Sequence, residues 1–226
     1  MKKYTCRRRE LRMKKITTLL FDLDGVLIDS FPDVADALNY AFKAVGAPEK
    51  SYEEIKSIFG YGAKNLVADG LGEKYASYFN EAMVTFKERY LATCLNKTKL
   101  YPGVKEVLNH FKDKNLAVVT NKSEFFSRYI LEQLGVGQYF RYIVGPESVS
   151  CLKPHPEGIL LLLERFRADA AESVMIGDFP SDMAAGKAAG TLTCGAYYGF
   201  GDRTKLKGAQ ADYYIETIAE LKDLFF

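Results

Sequence analysis

Hydrophobic residues fall along this chain in two kinds of pattern. Short, continuous runs rich in β-branched residues occur at 16–24 (ITTLLFDLD), 116–120 (LAVVT), 142–145 (YIVG), 173–178 (SVMIGD), 191–198 (TLTCGAYY) and 212–215 (DYYI). Apolar runs of this length predict strands buried on both faces, as in a parallel sheet. Between them the apolar positions step by three and four. Val104, Val107, Leu108 and Phe111 form one stripe, and Ile159, Leu163 and Phe166 another. Each is the core-facing side of a helix. Strand and helix alternate from about residue 100 onward, which predicts βαβ units with right-handed crossovers.

Residues 31–100 break that rhythm, and no strand is predicted there. Val34, Leu38, Phe42 and Val45 fit one helix face, and 51–59 and 73–95 read as helical too. Gly60, Gly62, Gly70 and Gly72 punctuate the stretch as turns. Tyr40, Phe42, Phe59 and Tyr61 are expected to form this unit's own core. The predicted fold class is therefore α/β: a Rossmann-like parallel sheet core with helices on both faces, plus an inserted all-helical cap domain. The core is expected in 13–30 and 100–226 and the cap in 31–99. Residues 1–12 are expected to be a basic, disordered tail. Met13 opens MKKITTLLFDLDGV, which reads as a natural start.

Composition narrows the class. The 226 residues are 48% hydrophobic and 27% charged, which excludes a disordered or coiled-coil chain. The formal charge of +2 hides an asymmetry, because eight basic residues and one acid lie in residues 1–15. The remainder carries 23 basic and 28 acidic residues, a net charge of −5. Such a body is a poor nucleic-acid binder. Cys6, Cys94, Cys151 and Cys194 form no CxxC pair, and only His110 and His155 could join them. A zinc site or a disulfide framework is thus not expected, and reduced thiols suit a cytoplasmic protein. No run approaches the ~18 apolar residues that span a bilayer, and the stretch 16–21 is too short for a signal peptide. No membrane partner is expected.

The chemistry gathers at the predicted strand ends. The first strand ends in Asp22 and Asp24, which point to one side of an extended chain. Two converging carboxylates need a cation or a shared proton. The run VMIGDFPSD ends another strand with Asp178, and Asp182 follows where a helix is expected to start. Asp22, Asp178 and Asp182 could supply the protein oxygens of a magnesium site; Asp182 could equally serve as a first-turn acid that complements the helix dipole. A third strand ends in Thr120, Asn121 and Lys122, where a hydroxyl and backbone N–H groups at a helix start make an anion site or a simple N-cap. Lys153 precedes Pro154, which fixes an extended or turn backbone. A lysine held there could bind a phosphate charge.

In this order these pieces resemble the haloacid dehalogenase (HAD) superfamily. DLDGV (22–26) matches its first motif, Thr120 the second, Lys153 in KPHP the third and GDFPSD (177–182) the fourth. The helical insertion falls between the first two motifs, where the family's type C1 cap sits. The resemblance implies Asp22 as nucleophile of an aspartyl-phosphate mechanism. It implies Asp24 as general acid and then base, its backbone carbonyl also facing a Mg2+ cofactor held by Asp22, Asp178 and Asp182. Thr120 and Lys153 would bind the phosphoryl oxygens, assisted by the backbone N–H groups of Gly25 and Asn121. An aspartate at position 24 distinguishes phosphatases and phosphomutases from the family's dehalogenases and from P-type ATPases.

Segments 29–42, 59–67, 101–104, 119–123 and 153–166 resemble phosphoglycolate phosphatase-like members. Two positions depart from their pattern. His155 stands where those members carry an Asp, and Phe179 where they carry a small hydroxyl residue. His155 is expected to face solvent. Lys64, just after the Gly60–Gly62 turn, is the expected cap contact for a substrate carboxylate. The function expected is a Mg-dependent phosphatase of a small phosphorylated metabolite, 2-phosphoglycolate first, acting as a monomer or homodimer. The alternatives are a pyrophosphatase, a nucleotide monophosphatase, a β-phosphoglucomutase-like phosphomutase, or a catalytically silent relative that binds a phosphometabolite or a partner.

Overall fold

A computed structural model of the chain describes residues 13–226; the basic segment 1–12, with Cys6, lies outside the described residues. Six parallel strands form the central sheet, in the order β5-β4-β1-β6-β7-β8. They are β1 (Thr18–Phe21), β4 (Asn115–Val119), β5 (Tyr142–Val144), β6 (Ser173–Gly177), β7 (Leu192–Ala196) and β8 (Tyr213–Ile215). Each coincides with one of the six apolar runs. A pair of two-residue strands, β2 (Ile28–Asp29) and β3 (Lys99–Leu100), forms a separate antiparallel ribbon. Sequence pattern gave no sign of it, because a two-residue strand has no periodicity to read.

Side-chain alternation sends the two faces of each strand to different neighbours. Leu19 and Phe21, with Leu116, Val118, Val174 and Ile176, join one buried cluster. Leu20, Ala117, Val119 and Met175 join the other. The first face is covered by α5 (Val104–His110), α6 (Glu124–Gln133) and the C-terminal α10 (Leu221–Leu224). The second is covered by α7 (Glu157–Phe166) and α8 (Pro180–Ala188). Such two-sided cover is what continuous apolar strands require. Helix α9 (Arg203–Gly208) links the last two strands.

The segment between β2 and β3 holds four α-helices: α1 (Phe31–Ala44), α2 (Tyr52–Ser57), α3 (Ala63–Leu71) and α4 (Phe79–Thr93). The run expected to be one helix from 73 is divided, with a 3-10 stretch over Glu73–Tyr78 ahead of α4. A capping box starts α2, since Glu54 N–H donates to Ser51 Oγ at 3.2 Å and Ser51 N–H to Glu54 Oε2 at 2.7 Å. Buried Asp33, in the first turn of α1, closes the base of this insertion. Its Oδ2 accepts from Lys97 N–H at 2.9 Å, Thr98 N–H at 2.8 Å and the Thr98 hydroxyl at 2.8 Å. One carboxylate thus ties the outgoing helix to the returning chain. The expectation for the aromatic core needs correction. Phe42 and Phe59 are buried, but Tyr40 and Tyr61 are exposed. Tyr40 lies on the solvent face of α1, with Arg89 4.7 Å over its ring. No helix among the described residues is long and apolar enough to cross a membrane.

Candidate active site

In the registry of the sheet, Phe21 of β1 lies opposite Val118 of β4 and Ile176 of β6. Asp22, Thr120 and Asp178 therefore leave the sheet at one edge. That edge carries the carboxyl ends of the strands, at the point where strand order reverses on either side of β1. The Asp22 backbone N–H donates to Ile176 O at 2.9 Å. Its carboxylate Oδ1 accepts from Leu23 N–H at 2.7 Å and meets Lys153 Nζ at 2.9 Å.

Lys153 arrives on the loop before α7 and is 6% exposed. Its ammonium has three neighbours: Asp22 Oδ1 at 2.9 Å, Asp182 Oδ1 at 2.7 Å and Val119 O at 2.9 Å. Burial works against the charge, but the Asp182 and Asp22 carboxylates hold the ammonium above the ordinary lysine range. Asn121 fixes this loop from β4. Lys153 N–H donates to Asn121 Oδ1 at 3.0 Å, and Asn121 Nδ2 donates to Lys153 O at 3.1 Å. The same Nδ2 reaches Gly60 O at 3.0 Å, a contact to the turn of the insertion.

Asp178 is fully buried. Its Oδ2 accepts from Phe200 N–H at 2.7 Å and Gly201 N–H at 3.1 Å. Its Oδ1 is buried without a hydrogen-bond partner among the described residues. Glycines make room for this side chain: a Cβ on Gly25 would stand 2.2 Å from Asp178 Oδ2, and one on Gly199 2.4 Å from it. Burial pushes the Asp178 carboxyl well above its ordinary range, and Asp182 and Asp22 add to the push. Asp22 is pushed up to about 6, with burial leading and Lys153 opposing. Carboxylate oxygens of Asp22, Asp178 and Asp182 lie within 4.8 Å of one another. Two of the three carboxylates share one ammonium, and Asp178 Oδ1 has no donor among the described residues. An all-oxygen set of this kind fits a hard divalent cation such as magnesium. Asp182 is the most committed of the three, since its Oδ2 also accepts from Phe179 N–H at 2.9 Å at the start of α8.

The remaining expected residues surround this cluster. Thr120 is buried, and its hydroxyl accepts from Lys122 N–H at 3.2 Å. The Gly25 N–H, expected to face a phosphate, instead donates to Ile28 O at 2.9 Å and closes the turn after β1. What Gly25 contributes is a φ of +86°, which favours glycine, and the missing Cβ beside Asp178. His155 is exposed, as is Lys64 at the start of α3. Asp24 is half-buried and makes two side-chain contacts among the described residues. Ser30 Oγ donates to its Oδ1, and Lys122 Nζ lies 3.1 Å from Oδ1 and 3.2 Å from Oδ2. Sequence reasoning named Lys122 only as part of the run after β4. No spacing could have paired it with an aspartate 98 residues away. Above these groups lies a cavity of about 690 Å³, with Asp22, Asp24 and Thr120 on the sheet side and Lys64, Phe86 and Tyr90 on the insertion side. Tyr61, misassigned to a core, lines it as well.

Residues 19–196 match the family of haloacid dehalogenase-like hydrolases. The phosphoglycolate phosphatase of Vibrio parahaemolyticus is 32% identical over 223 residues, covering 95% of this chain and 98% of that protein. That of Vibrio cholerae is 33% identical over 221 residues, covering 94% and 98%. The crystal structure of a predicted phosphoglycolate phosphatase from Haemophilus somnus superposes with a TM-score of 0.88 at 29% identity, covering 94% of this chain and 99% of that one.

Proposed function

The chain belongs to the haloacid dehalogenase-like hydrolases and is a phosphatase, and from that premise we propose that it hydrolyses a small phosphate monoester, 2-phosphoglycolate first, through an aspartyl-phosphate on Asp22. One observation carries the reading. At the floor of the cavity a carboxylate is held against a buried ammonium, Asp22 Oδ1 to Lys153 Nζ at 2.9 Å, while Asp22 Oδ2 is left without a hydrogen bond from the described residues. That arrangement suits a nucleophile beside a phosphate-binding charge. The name shared by the Vibrio relatives supports phosphoglycolate as the substrate to try first.

Two half-reactions follow from these residues. In the first, an Asp22 oxygen bonds to phosphorus as the bond from phosphorus to the leaving oxygen breaks. Asp24 gives its proton to that oxygen. In the second, water adds to phosphorus, Asp24 takes the proton, and the bond from Asp22 breaks to release phosphate. Both carboxyl groups return to their starting state. Lys153, the Thr120 hydroxyl and the Asn121 N–H serve the phosphoryl oxygens in transit, where most of the stabilisation is needed. Asp22 and Asp178, with Asp182 and the Asp24 carbonyl as further donors, are the residues to hold magnesium. When bound, the ion supplies positive charge to the phosphoryl group and to the crowded carboxylates. The insertion excludes water from the site, and Lys64 contacts the substrate carboxylate.

A second reading, a larger monoester such as a sugar phosphate or nucleotide monophosphate, is favoured by the cavity volume of about 690 Å³, which lies within the range of pockets that take drug-sized ligands. Phosphate release on phosphoglycolate, pyrophosphate, sugar phosphates and nucleotide monophosphates, with and without magnesium, tests both. Magnesium-dependent turnover led by phosphoglycolate and lost in Asp22→Asn is the expected result. Turnover that persists in Asp22→Asn would overturn the mechanism, and a different leading substrate would overturn the assignment of phosphoglycolate.

A further inference from the structure

Lys122 is a half-buried lysine to which the mechanism above gives no task. Its side chain is 10% exposed, and its ammonium spans both oxygens of Asp24 at 3.1 and 3.2 Å. The other side of the ammonium faces the ring of Tyr90, 4.8 Å from the centroid, within the range of a cation–π contact. Tyr90 belongs to α4 of the insertion and is 2% exposed. Its ring stacks on Phe86 at 5.8 Å and meets Phe126 of α6 edge-on at 5.0 Å. Its hydroxyl is buried and has no hydrogen-bond partner among the described residues.

We propose that Lys122, braced by Tyr90 of the helical insertion, is the positioning residue for Asp24, aiming its carboxyl group at the leaving oxygen. The inference rests on the reading of Asp24 as the acid. A carboxyl group on a turn after a strand end has free χ angles, and a proton delivered to one oxygen needs one geometry. Ser30 fixes only Oδ1. The two contacts from Lys122 fix the plane of the carboxyl group. Lys122 is a long, flexible side chain that gives up much rotamer entropy to hold this pose. The packed Tyr90 ring restricts it to that pose. Because the ring comes from the insertion and the lysine from the sheet, the acid is aimed only when the two parts of the chain are in contact.

Leaving-group dependence tests the assignment. An alkoxide needs a proton to depart, whereas p-nitrophenolate leaves as a stable anion. The magnesium-loaded full chain is assayed on phosphoglycolate, ethyl phosphate and p-nitrophenyl phosphate, reading kcat/KM, which reports formation of the aspartyl-phosphate. Lys122→Met is expected to lose about 10- to 100-fold more on both alkyl esters than on the aryl ester, a share of what general acid catalysis contributes. Tyr90→Leu is expected to show the same selectivity with a smaller loss, and Lys122→Arg to recover most of it. Equal losses on all three substrates would overturn the proposal, as would a loss on phosphoglycolate alone, which would make Lys122 a substrate-carboxylate contact. Selective loss in Lys122→Met with none in Tyr90→Leu would overturn the role of the insertion. If Lys122→Met fails to fold, the Arg and Tyr90 variants carry the test. Asp24→Asn separates the two levels of the argument. Selective loss there, with equal losses in the Lys122 variants, overturns this inference alone. Equal losses in Asp24→Asn overturn the reading of Asp24 and the inference with it.

Discussion

The two aspartates of the first loop sit in different kinds of surroundings. Asp22 is enclosed by Lys153, Asp182 and Asp178, which come from loops and a helix start at the carboxyl ends of the strands and are fixed by backbone or loop contacts. Asp24, two residues on, is held by Ser30 at the start of α1 and by Lys122, which leans on a tyrosine of the insertion. The first group is anchored where β1 and β6, paired in register, end together. The second depends on how two parts of the chain meet. This is a physical basis for dividing labour: the step that needs fixed charge is built on the sheet, and the step that needs aim is shared with the insertion.

The sharpest way to break this comparison is at Asp22. Asp22→Asn keeps the shape and removes the nucleophilic charge, so kcat is expected to fall by at least on the order of 10⁴-fold, as for other nucleophile deletions. A variant retaining a tenth of the activity would move the nucleophile elsewhere. Lys153→Ala should come next, with kcat/KM down by about 10²- to 10³-fold, the scale for removing one stabilising donor. It also leaves Asp22 and Asp182 facing each other without their ammonium. Magnesium should therefore stabilise this variant more than the wild type in a melting experiment. Equal stabilisation would mean that Lys153 does not balance the carboxylate cluster.

The same contrast explains what was legible in the sequence. The six strands could be read because continuous apolar runs have few other uses, and the residues at their ends converge because parallel strands in register end together. Asp22, Thr120 and Asp178 leave the sheet together for that reason, and the loop before α7 and the start of α8 add Lys153 and Asp182. Three features were not legible, and each depends on a long-range contact. The β2–β3 ribbon is too short for a pattern. Tyr40 and Tyr61 occupy helix and turn positions whose exposure depends on tertiary packing. The Lys122–Asp24 pair joins loops far apart in the chain, one of them braced by a side chain from a third element. Local periodicity carries no information about any of these.

Asp33 probes the insertion without touching the chemistry. Asp33→Ala strands the N–H groups of Lys97 and Thr98 and the Thr98 hydroxyl. A cost of about 2–3 kcal/mol is expected in chemical denaturation, from donors left buried and unpaired. If the insertion's base also sets the pose of Tyr90, activity on phosphoglycolate should fall more than activity on p-nitrophenyl phosphate. A stability loss with no change in that ratio would mean that the α4 contact is held independently of the base.

A pH series addresses the sheet-edge group by itself. Asp22 is raised to about 6 from an ordinary 3.8, and Asp178 is raised as well. In metal-free protein, the folded state then binds protons that the unfolded chain releases. A raised carboxyl contributes stability that is full below about pH 4 and lost as pH rises through about 6. The lowered groups Asp36, Glu54, Glu157 and Glu216 act in the opposite sense, but only as pH falls through the ordinary carboxylate range and below. Between pH 5 and 7 the raised pair therefore sets the slope. The melting temperature with chelator present should fall as pH is raised across that window. The gain from added magnesium should grow over the same window, because binding requires ionised carboxylates. A chelated protein that grows more stable from pH 5 to 7 would contradict the crowding described for this cluster.

The smallest effect is expected at Lys64, and it bears on the insertion's second task. Lys64 is exposed at the start of α3 and lines the cavity opposite the sheet edge. A solvated lysine contributes little to a bound anion, so Lys64→Ala should raise KM for phosphoglycolate by no more than about tenfold and leave kcat unchanged, the pattern of lost uniform binding. The effect should vanish with ethyl phosphate, which offers no carboxylate. That outcome would divide the insertion's contribution between two side chains, Lys64 for holding the substrate and Tyr90, through Lys122, for aiming the acid. A fall in kcat on both substrates would instead tie Lys64 to the pose of the insertion. No change on either would leave the acid's aim as the one task that the insertion performs through a named side chain.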